Sequence, residues 1–225
     1  MPVTPKRTRN IRNGFGLPPR MSLSTIVQAL IHPAWATGYL ANGGLPKLGN
    51  WQPYAPHGAS ALEIAHVFTR ETPDPTQTLK DIADVRARWK GRMLVKGVLH
   101  PDDAVAMLGL GVDGIWISNH GGRQLDRIVP CIDMLRAIRA AVGKDATLVI
   151  DSGIRRGADI AIARCLGADF AFIGRVTLYA TAAAGEAGAT RVVDPLAQEL
   201  DLVMGQIGCA NVNQLCSDNL HDLGR

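Results

Sequence analysis

The hydrophobic pattern changes once along the chain. From residue 93 onward, short apolar runs alternate with longer stretches in which apolar residues recur every three or four positions. A run of four to eight apolar residues bounded by glycine and polar residues is typical of a buried strand. The pattern therefore predicts four strands, near 93–98, 114–118, 147–151 and 170–174.

The stretches between these runs predict helices, near 101–109, 130–141, 157–166 and 192–206. Glycine stands where several of these helices end, and the turns that follow resemble one another in sequence, as in "GLGVDGIWIS" and "CLGADFAFIG". Strands that are apolar along their whole length are typical of parallel sheets covered on both faces. The second part of the chain is therefore predicted to be α/β, either a doubly wound sheet or a (β/α)8 barrel.

Residues 1–92 are less regular. Proline and glycine clusters predict loops around short helices such as 22–31 and 77–90. No apolar stretch approaches the roughly 20 residues of a membrane span. The N-terminus lacks the apolar segment of a signal peptide, so we expect an intracellular protein.

Charge and cysteine content narrow the function classes. The net charge is +4, but residues 1–20 carry five basic residues and no acidic one, while the rest of the chain is close to neutral. This basic segment has no interleaved aromatic residues, so a solvated face or a site for small anions is predicted rather than nucleic-acid binding. The four cysteines show no paired spacing, which predicts reduced structural thiols and no metal site.

Polar residues follow every predicted strand. Active sites of (β/α)8 barrels form at the C-terminal ends of the strands, and the last two loops often bind phosphate. Backbone N–H groups beside Arg155 and Arg175 suit a phosphate monoester, whereas no GxGxxG motif lies between a predicted strand and the helix that follows it, so a dinucleotide site is not expected. These observations favour the barrel over the doubly wound sheet. The candidate site residues at the four strand ends are Lys96; Ser118, Asn119 and His120; Asp151, Ser152 and Gly153; Gly174 and Arg175.

Several of these motifs resemble one family. The segments "LVKG", "SNHGGRQLD", "DSGIRRGADI" and "IGR" are similar to the C-terminal part of the FMN-dependent 2-hydroxy acid dehydrogenases and oxidases, which include glycolate oxidase, lactate dehydrogenases and mandelate dehydrogenase. The resemblance covers essentially all 225 residues. It implies a (β/α)8 barrel fold, FMN as cofactor and oxidation of a small 2-hydroxy acid to the 2-oxo acid.

The resemblance also implies roles for individual residues. His120 matches the base, since a neutral imidazole can take a proton near neutral pH. Arg123 matches the residue that binds the substrate carboxylate, which a planar guanidinium does with two hydrogen bonds. Lys96 matches the lysine beside the flavin ring, where a fixed positive charge favours the anionic reduced form. Arg7 matches, less closely, a second arginine for the carboxylate.

The remaining matched residues bind the cofactor in the family. Ser118 is expected to hydrogen-bond the flavin ring. The others match positions around the ribityl chain and the phosphate: Asp151, Ser152, Gly153, Arg155, Gly174 and Arg175.

The chain is expected to supply only part of this fold. By resemblance it forms a partial barrel with strands 5 to 8, in a single domain whose residues 1–92 are the loop and helical region after strand 4 and whose residues 93–225 are four βα units. The aspartate that hydrogen-bonds the histidine in relatives is not found. We therefore expect a truncated sequence, in which open strand edges would favour association and independent turnover would be negligible.

Two classes of function remain open at this stage. One is an FMN-dependent 2-hydroxy acid dehydrogenase or oxidase; the other is an inactive half barrel that at most binds FMN phosphate or a partner. The particular hydroxy acid and the electron acceptor stay open, and a homo-oligomer is expected from the resemblance alone. Segment 22–54 is expected to pack on the barrel, with peripheral contact to the inner face of the membrane as the alternative to a purely cytoplasmic protein.

Overall fold

The structure is a computed structural model that describes residues 8–14 and 22–221. It divides into two compact units, Met1–Gln77 and Thr78–Arg225. The helix that the sequence predicts over 77–90 therefore groups with the strands rather than with the irregular N-terminal region.

The first unit is helical. Ser22 caps the helix that begins at Leu23, and its Oγ accepts a hydrogen bond from the Thr25 N–H at 3.1 Å. Ser60 and Glu63 form a reciprocal capping box at the start of the helix that begins at Ala61, which fixes where that helix begins. A 3-10 turn lies over Gly49–Tyr54. The described helices of this unit are α1 (Thr8–Arg12), α2 (Leu23–Ile31), α3 (Pro33–Ala41) and α4 (Ala61–Glu71).

The second unit alternates strands and helices. Helix α5 (Leu79–Arg88) precedes four strands: β1 (Leu94–Val98), β2 (Gly114–Ile117), β3 (Thr147–Ile150) and β4 (Phe170–Ala171). Each strand is followed by a helix, in order α6 (Pro101–Gly109), α7 (Cys131–Val142), α8 (Gly157–Cys165) and α9 (Arg175–Arg191). The last helix is α10 (Val193–Gln206).

The four strands form one parallel sheet in the order β1-β2-β3-β4, as the sequence predicts. The prediction for the fourth strand, 170–174, is wrong in length, because only Phe170 and Ala171 have strand geometry. Among the described residues β4 pairs on one side only, and its ladder to β3 ends after the Phe172 N–H donates to the Ile150 carbonyl at 2.8 Å. The chain then turns into α9.

One face of the sheet packs against helices and forms the core. Ile115 and Ile117 of β2 and Leu148 and Ile150 of β3 are essentially inaccessible, as are Leu135 and Ile138 of α7. The other face carries one row of paired residues across the strands: Lys96, Trp116, Val149 and Phe170. Because one face of the sheet is buried in the core, only side chains of the other face can contact a ligand.

The similar turns "GLGVDGIWIS" and "CLGADFAFIG" share a structural feature. Asp113, before β2, exchanges hydrogen bonds with Met93: its backbone N–H donates to the Met93 carbonyl and its carboxylate accepts from the Met93 N–H, both at 2.8 Å. Asp169, before β4, does the same with Leu148, again at 2.8 Å in both directions. Each aspartate also pairs with an arginine of the helix that precedes the neighbouring strand, Arg86 of α5 and Arg139 of α7. The repeated turn therefore sets the strand register twice.

Candidate active site

Apart from Lys96, which is the middle residue of β1, the polar residues predicted at the strand ends follow the C-terminal ends of the strands and lie at one edge of the sheet, because all four strands are parallel. Lys96 is in β1, while Ser118 and Asp151 directly follow β2 and β3. Gly174 precedes α9, and Arg175 is its first residue. Parallel topology thus brings residues from distant parts of the sequence to the same edge.

Lys96 and Asp151 form an ion pair at the centre of this edge. The Lys96 Nζ also donates to the Ser118 Oγ at 2.7 Å and lies 4.4 Å from the centroid of the Trp116 ring. Burial acts to raise the pKa of Asp151, but hydrogen bonds from Lys96, Ser118 and Ser152 outweigh it and hold that pKa below its ordinary range. The carboxylate therefore remains charged beside the ammonium group.

The segment after β2 forms a tight turn that carries His120. Asn119 caps it, with its Oδ1 accepting from the Gly122 N–H at 3.2 Å. His120, Gly121 and Gly122 all have positive φ, of 55°, 68° and 69°. A left-handed conformation is costly for a residue with a Cβ, so the two glycines confine the strain to His120. The turn places His120 and Arg123 on the same short loop, as the sequence predicts.

Serine hydroxyls hold this turn. The Ser118 Oγ accepts from the His120 N–H at 3.2 Å, and the Ser152 Oγ accepts from the Gly121 N–H at 2.9 Å. Ser152 in turn donates to the Asp151 Oδ1 at 2.5 Å. The ion pair and the turn thus belong to one hydrogen-bonded network.

The surroundings of His120 favour a neutral imidazole. Burial lowers its pKa, the positive charges of Lys96 and Arg123 lower it further, and the negative charge of Asp151 acts in the opposite direction. A neutral ring is the form that can accept a proton. The environment therefore keeps His120 competent as a base down to lower pH than an ordinary histidine.

Other predicted residues are less closely connected. The Arg175 Nη2 donates to the Gly121 carbonyl at 3.4 Å, which places this guanidinium against the turn. A Cβ built at Gly153 or Gly174 would meet no atom within 4 Å, so the backbone there is open. The backbone N–H of Arg155 donates to the Asp159 carboxylate, and Arg155 is exposed. Arg7 lies outside the described residues.

Two residues of the site were not predicted from the sequence. Trp116 supports the Lys96 ammonium and stacks on Phe172, with 4.3 Å between the ring centroids. Cys131, at the start of α7, accepts a hydrogen bond from the Asn119 N–H at 3.1 Å, and burial raises the pKa of its thiol. Trp116 stands two positions before Ser118 and so faces the same side of the sheet, and this spacing could have identified it. No sequence pattern indicates that a cysteine accepts a hydrogen bond from a backbone N–H.

Comparison with known proteins agrees with this geometry. A family model described as FMN-dependent dehydrogenase matches residues 1–222. The chain belongs to this family. L-lactate dehydrogenase of Allorhizobium ampelinum is 39% identical over 220 residues, which are 98% of this chain and 58% of that protein.

Two solved structures of mandelate dehydrogenases share the fold. A monotopic membrane protein, (S)-mandelate dehydrogenase, matches 97% of this chain and 57% of its own with a TM-score of 0.91 and 34% identity. A soluble mutant of the membrane-associated (S)-mandelate dehydrogenase from Pseudomonas putida matches with a TM-score of 0.72 and 30% identity. The four-stranded sheet is thus part of a (β/α)8 barrel architecture, as the resemblance implied. The chain spans a little over half the length of these relatives.

Proposed function

We propose that this chain carries the C-terminal part of an enzyme that oxidises a small 2-hydroxy acid to the 2-oxo acid with FMN. The observation that carries the proposal is the network at the sheet edge, in which the Lys96–Asp151 pair is hydrogen-bonded to the turn bearing His120. This arrangement sets a fixed cation beside a neutral imidazole. Family membership supplies the reaction class.

The residues present fit FMN. A flavin ring that gains negative charge on reduction is stabilised by a fixed cation, and Lys96 is held in place by two hydrogen-bonding partners and one aromatic ring. A phosphate needs exposed N–H groups and cationic side chains. Gly153 and Gly174 leave the backbone open, and Arg175 begins a helix, whose N-terminus favours anions.

When bound, FMN would accept the two electrons that leave the substrate. The chain's own residues bind and orient the hydroxy acid and move its protons. The Arg123 guanidinium would hold the carboxylate with two hydrogen bonds, which orients the α-carbon, and Arg7 is proposed to assist. The neutral His120 imidazole would take a proton from the substrate's α-carbon or hydroxyl. Loss of two electrons and two protons gives the 2-oxo acid.

Anaerobic flavin reduction tests this proposal. Because the chain spans 58% of the Allorhizobium lactate dehydrogenase, the test joins the preceding part of that protein to this chain as a chimaera. Mixing it with FMN and with lactate, mandelate or glycolate should bleach the flavin absorbance, whereas propionate, which lacks the hydroxyl, should not. A folded, flavin-bound chimaera that no hydroxy acid reduces would support the inactive alternative.

We also propose that helices α2 and α3 contact a lipid surface. Residues 22–46 contain no Asp, Glu, Lys or Arg, and their apolar side chains are largely exposed: Leu23 by 84%, Leu30 by 72%, Trp35 by 63% and Leu40 by 71%. Exposed apolar patches of this kind mark binding surfaces. The matching mandelate dehydrogenase is described as a monotopic membrane protein. No helix among the described residues is long and apolar enough to cross a bilayer.

Co-sedimentation with neutral phosphatidylcholine vesicles tests the lipid contact. The unmodified chain should bind, and Leu23→Ser or Leu30→Ser should each weaken partitioning by about tenfold or more, since burying a leucine side chain contributes roughly 1.5–3 kcal/mol. Leu202→Ser is the matched control, because Leu202 is 67% exposed on α10 of the other unit. Equal binding by all these variants would contradict the proposed contact.

A further inference from the structure

Ser152 is held in a backbone conformation that disfavours any side chain. Its φ is 70°, in the left-handed region, and it is one of only three non-glycine residues with positive φ among the described residues; the others are His120 and Arg127. A glycine would adopt this conformation without a steric penalty. Strained non-glycine residues persist where the side chain makes interactions that offset the strain. The side chain of Ser152 adds one group that glycine lacks, a hydroxyl.

That hydroxyl is hydrogen-bonded both to the turn and to the ion pair. It accepts a hydrogen bond from the Gly121 N–H at 2.9 Å and donates its single proton to the Asp151 Oδ1 at 2.5 Å. Asp151 is ionised and paired with Lys96, so the bond from Ser152 ends on a carboxylate, which makes it a strong one. The proton of the hydroxyl is therefore already used within the protein rather than available to a phosphate or ribityl oxygen.

The Gly121 amide is a specific point of attachment. It belongs to the peptide that joins His120 to Gly121, the first two of the three consecutive residues with positive φ. The neighbouring amide, that of His120, is held by the Ser118 hydroxyl, which also accepts from Lys96. Two adjacent amides of the turn are thus held by two serines from different strand ends, and both serines contact the Lys96–Asp151 pair.

We propose that Ser152 is a positioning residue that holds the turn carrying His120 in register with the Lys96–Asp151 pair. The inference rests on the proposed function for its catalytic consequence, and it assigns Ser152 a role other than the direct cofactor contact that family resemblance implies. Loss of the hydroxyl releases Gly121 and lets the imidazole move relative to the fixed cation. A displacement on the order of 1 Å at a reacting group can reduce a rate by about 10²-fold.

Two substitutions separate positioning from general stability. Ser152→Gly removes the hydroxyl and also relieves the backbone strain, whereas Ser152→Ala removes the hydroxyl and retains the strain. The glycine variant is therefore expected to unfold at a higher temperature than the alanine variant. Both are expected to speed hydrogen exchange at the Gly121 amide by about tenfold, since each loses the same hydrogen bond. Arg127→Gly, which relieves strain at an exposed residue with φ of 56°, is the control and should leave Gly121 exchange unchanged.

Exchange is measured on the 225-residue chain without flavin or substrate, so its result does not depend on the proposed reaction. Unchanged Gly121 exchange in both variants would overturn the inference. Faster exchange only in the less stable variant would overturn it too, because the hydroxyl would then act through stability alone. In the flavin-bound chimaera, both variants should lower the flavin reduction rate at saturating hydroxy acid while substrate affinity is retained. If exchange responds as expected but the unmodified chimaera reduces no flavin, the proposed function fails and the structural role of Ser152 stands.

Discussion

At the scale of single residues, the site depends on how charges are arranged around His120. The imidazole has a lowered pKa because burial and the Lys96 ammonium disfavour its protonated form. An unfolded chain would bind the proton at a higher pH, near the ordinary value of about 6.5. The stability contributed by the neutral ring is therefore complete above that value and is lost as the pH falls toward the folded pKa.

Lys96→Met should raise the pKa of His120. The substitution removes a positive charge that lowers this pKa and leaves Asp151, which raises it, without its ammonium partner. Lys96→Arg, which keeps the charge, should change the pKa much less. NMR titration of the histidine ring resonances measures the shift. A His120 pKa that is unchanged or lower in Lys96→Met would contradict the electrostatic description of the site.

Arg123→Lys should weaken substrate binding and slow flavin reduction in the chimaera. A lysine supplies a point charge but cannot make the two parallel hydrogen bonds of a guanidinium. Binding of the hydroxy acid and the reduction rate are obtained together from anaerobic mixing over a range of substrate concentrations. Arg127→Lys, on the same loop, provides the matched control and should resemble the unmodified protein. Unaltered kinetics in Arg123→Lys would exclude Arg123 as the carboxylate-binding residue.

At the scale of elements, the sequence was most informative where local chemistry repeats. The apolar runs predicted the four strands, and the similar turns before β2 and β4 share a structure in which an aspartate bonds backbone groups of the neighbouring strand region at 2.8 Å. Helix α4 was not predicted, although "SALE", which is its N-cap residue and first three helical residues, is a capping-box signature. Helix α3 was not predicted because its apolar residues follow no single face. Helix α9 is interrupted at Ala184 and Gly185, which obscures its period.

Asp169→Ala tests the role of the repeated turn. It leaves the N–H of Leu148, a fully buried residue, without its carboxylate acceptor and removes the carboxylate that pairs with Arg139. An unsatisfied buried donor costs about 1–3 kcal/mol, so the urea midpoint of the second unit should fall accordingly. Asp169→Asn keeps an acceptor oxygen and should cost less. Equal stability of the alanine variant and the unmodified chain would show that the turn does not set the register.

At the scale of the whole molecule, the sequence predicted which residues share the sheet edge but not how they are linked. The expectation that parallel strands end at the same edge was sufficient to place Lys96, Ser118 and Asp151 together. The hydrogen bonds of Ser152 and Cys131 to the turn depend on backbone conformation that no spacing encodes. The outer side of β4 presents Phe170, 58% exposed, and relatives of about twice this length share the barrel architecture. Catalysis is therefore expected from the chimaera and negligible from the chain alone.

The measurement that tests the central claim most directly compares His120→Gln with the unmodified chimaera under anaerobic conditions. Both proteins should bind FMN and show the same oxidised flavin spectrum. On mixing with the hydroxy acid that the unmodified chimaera oxidises fastest, the variant should reduce its flavin about 10²- to 10⁴-fold more slowly, because a glutamine cannot accept the proton. Flavin reduction by His120→Gln at the unmodified rate would show that His120 is not the base and that the proposed site is wrong.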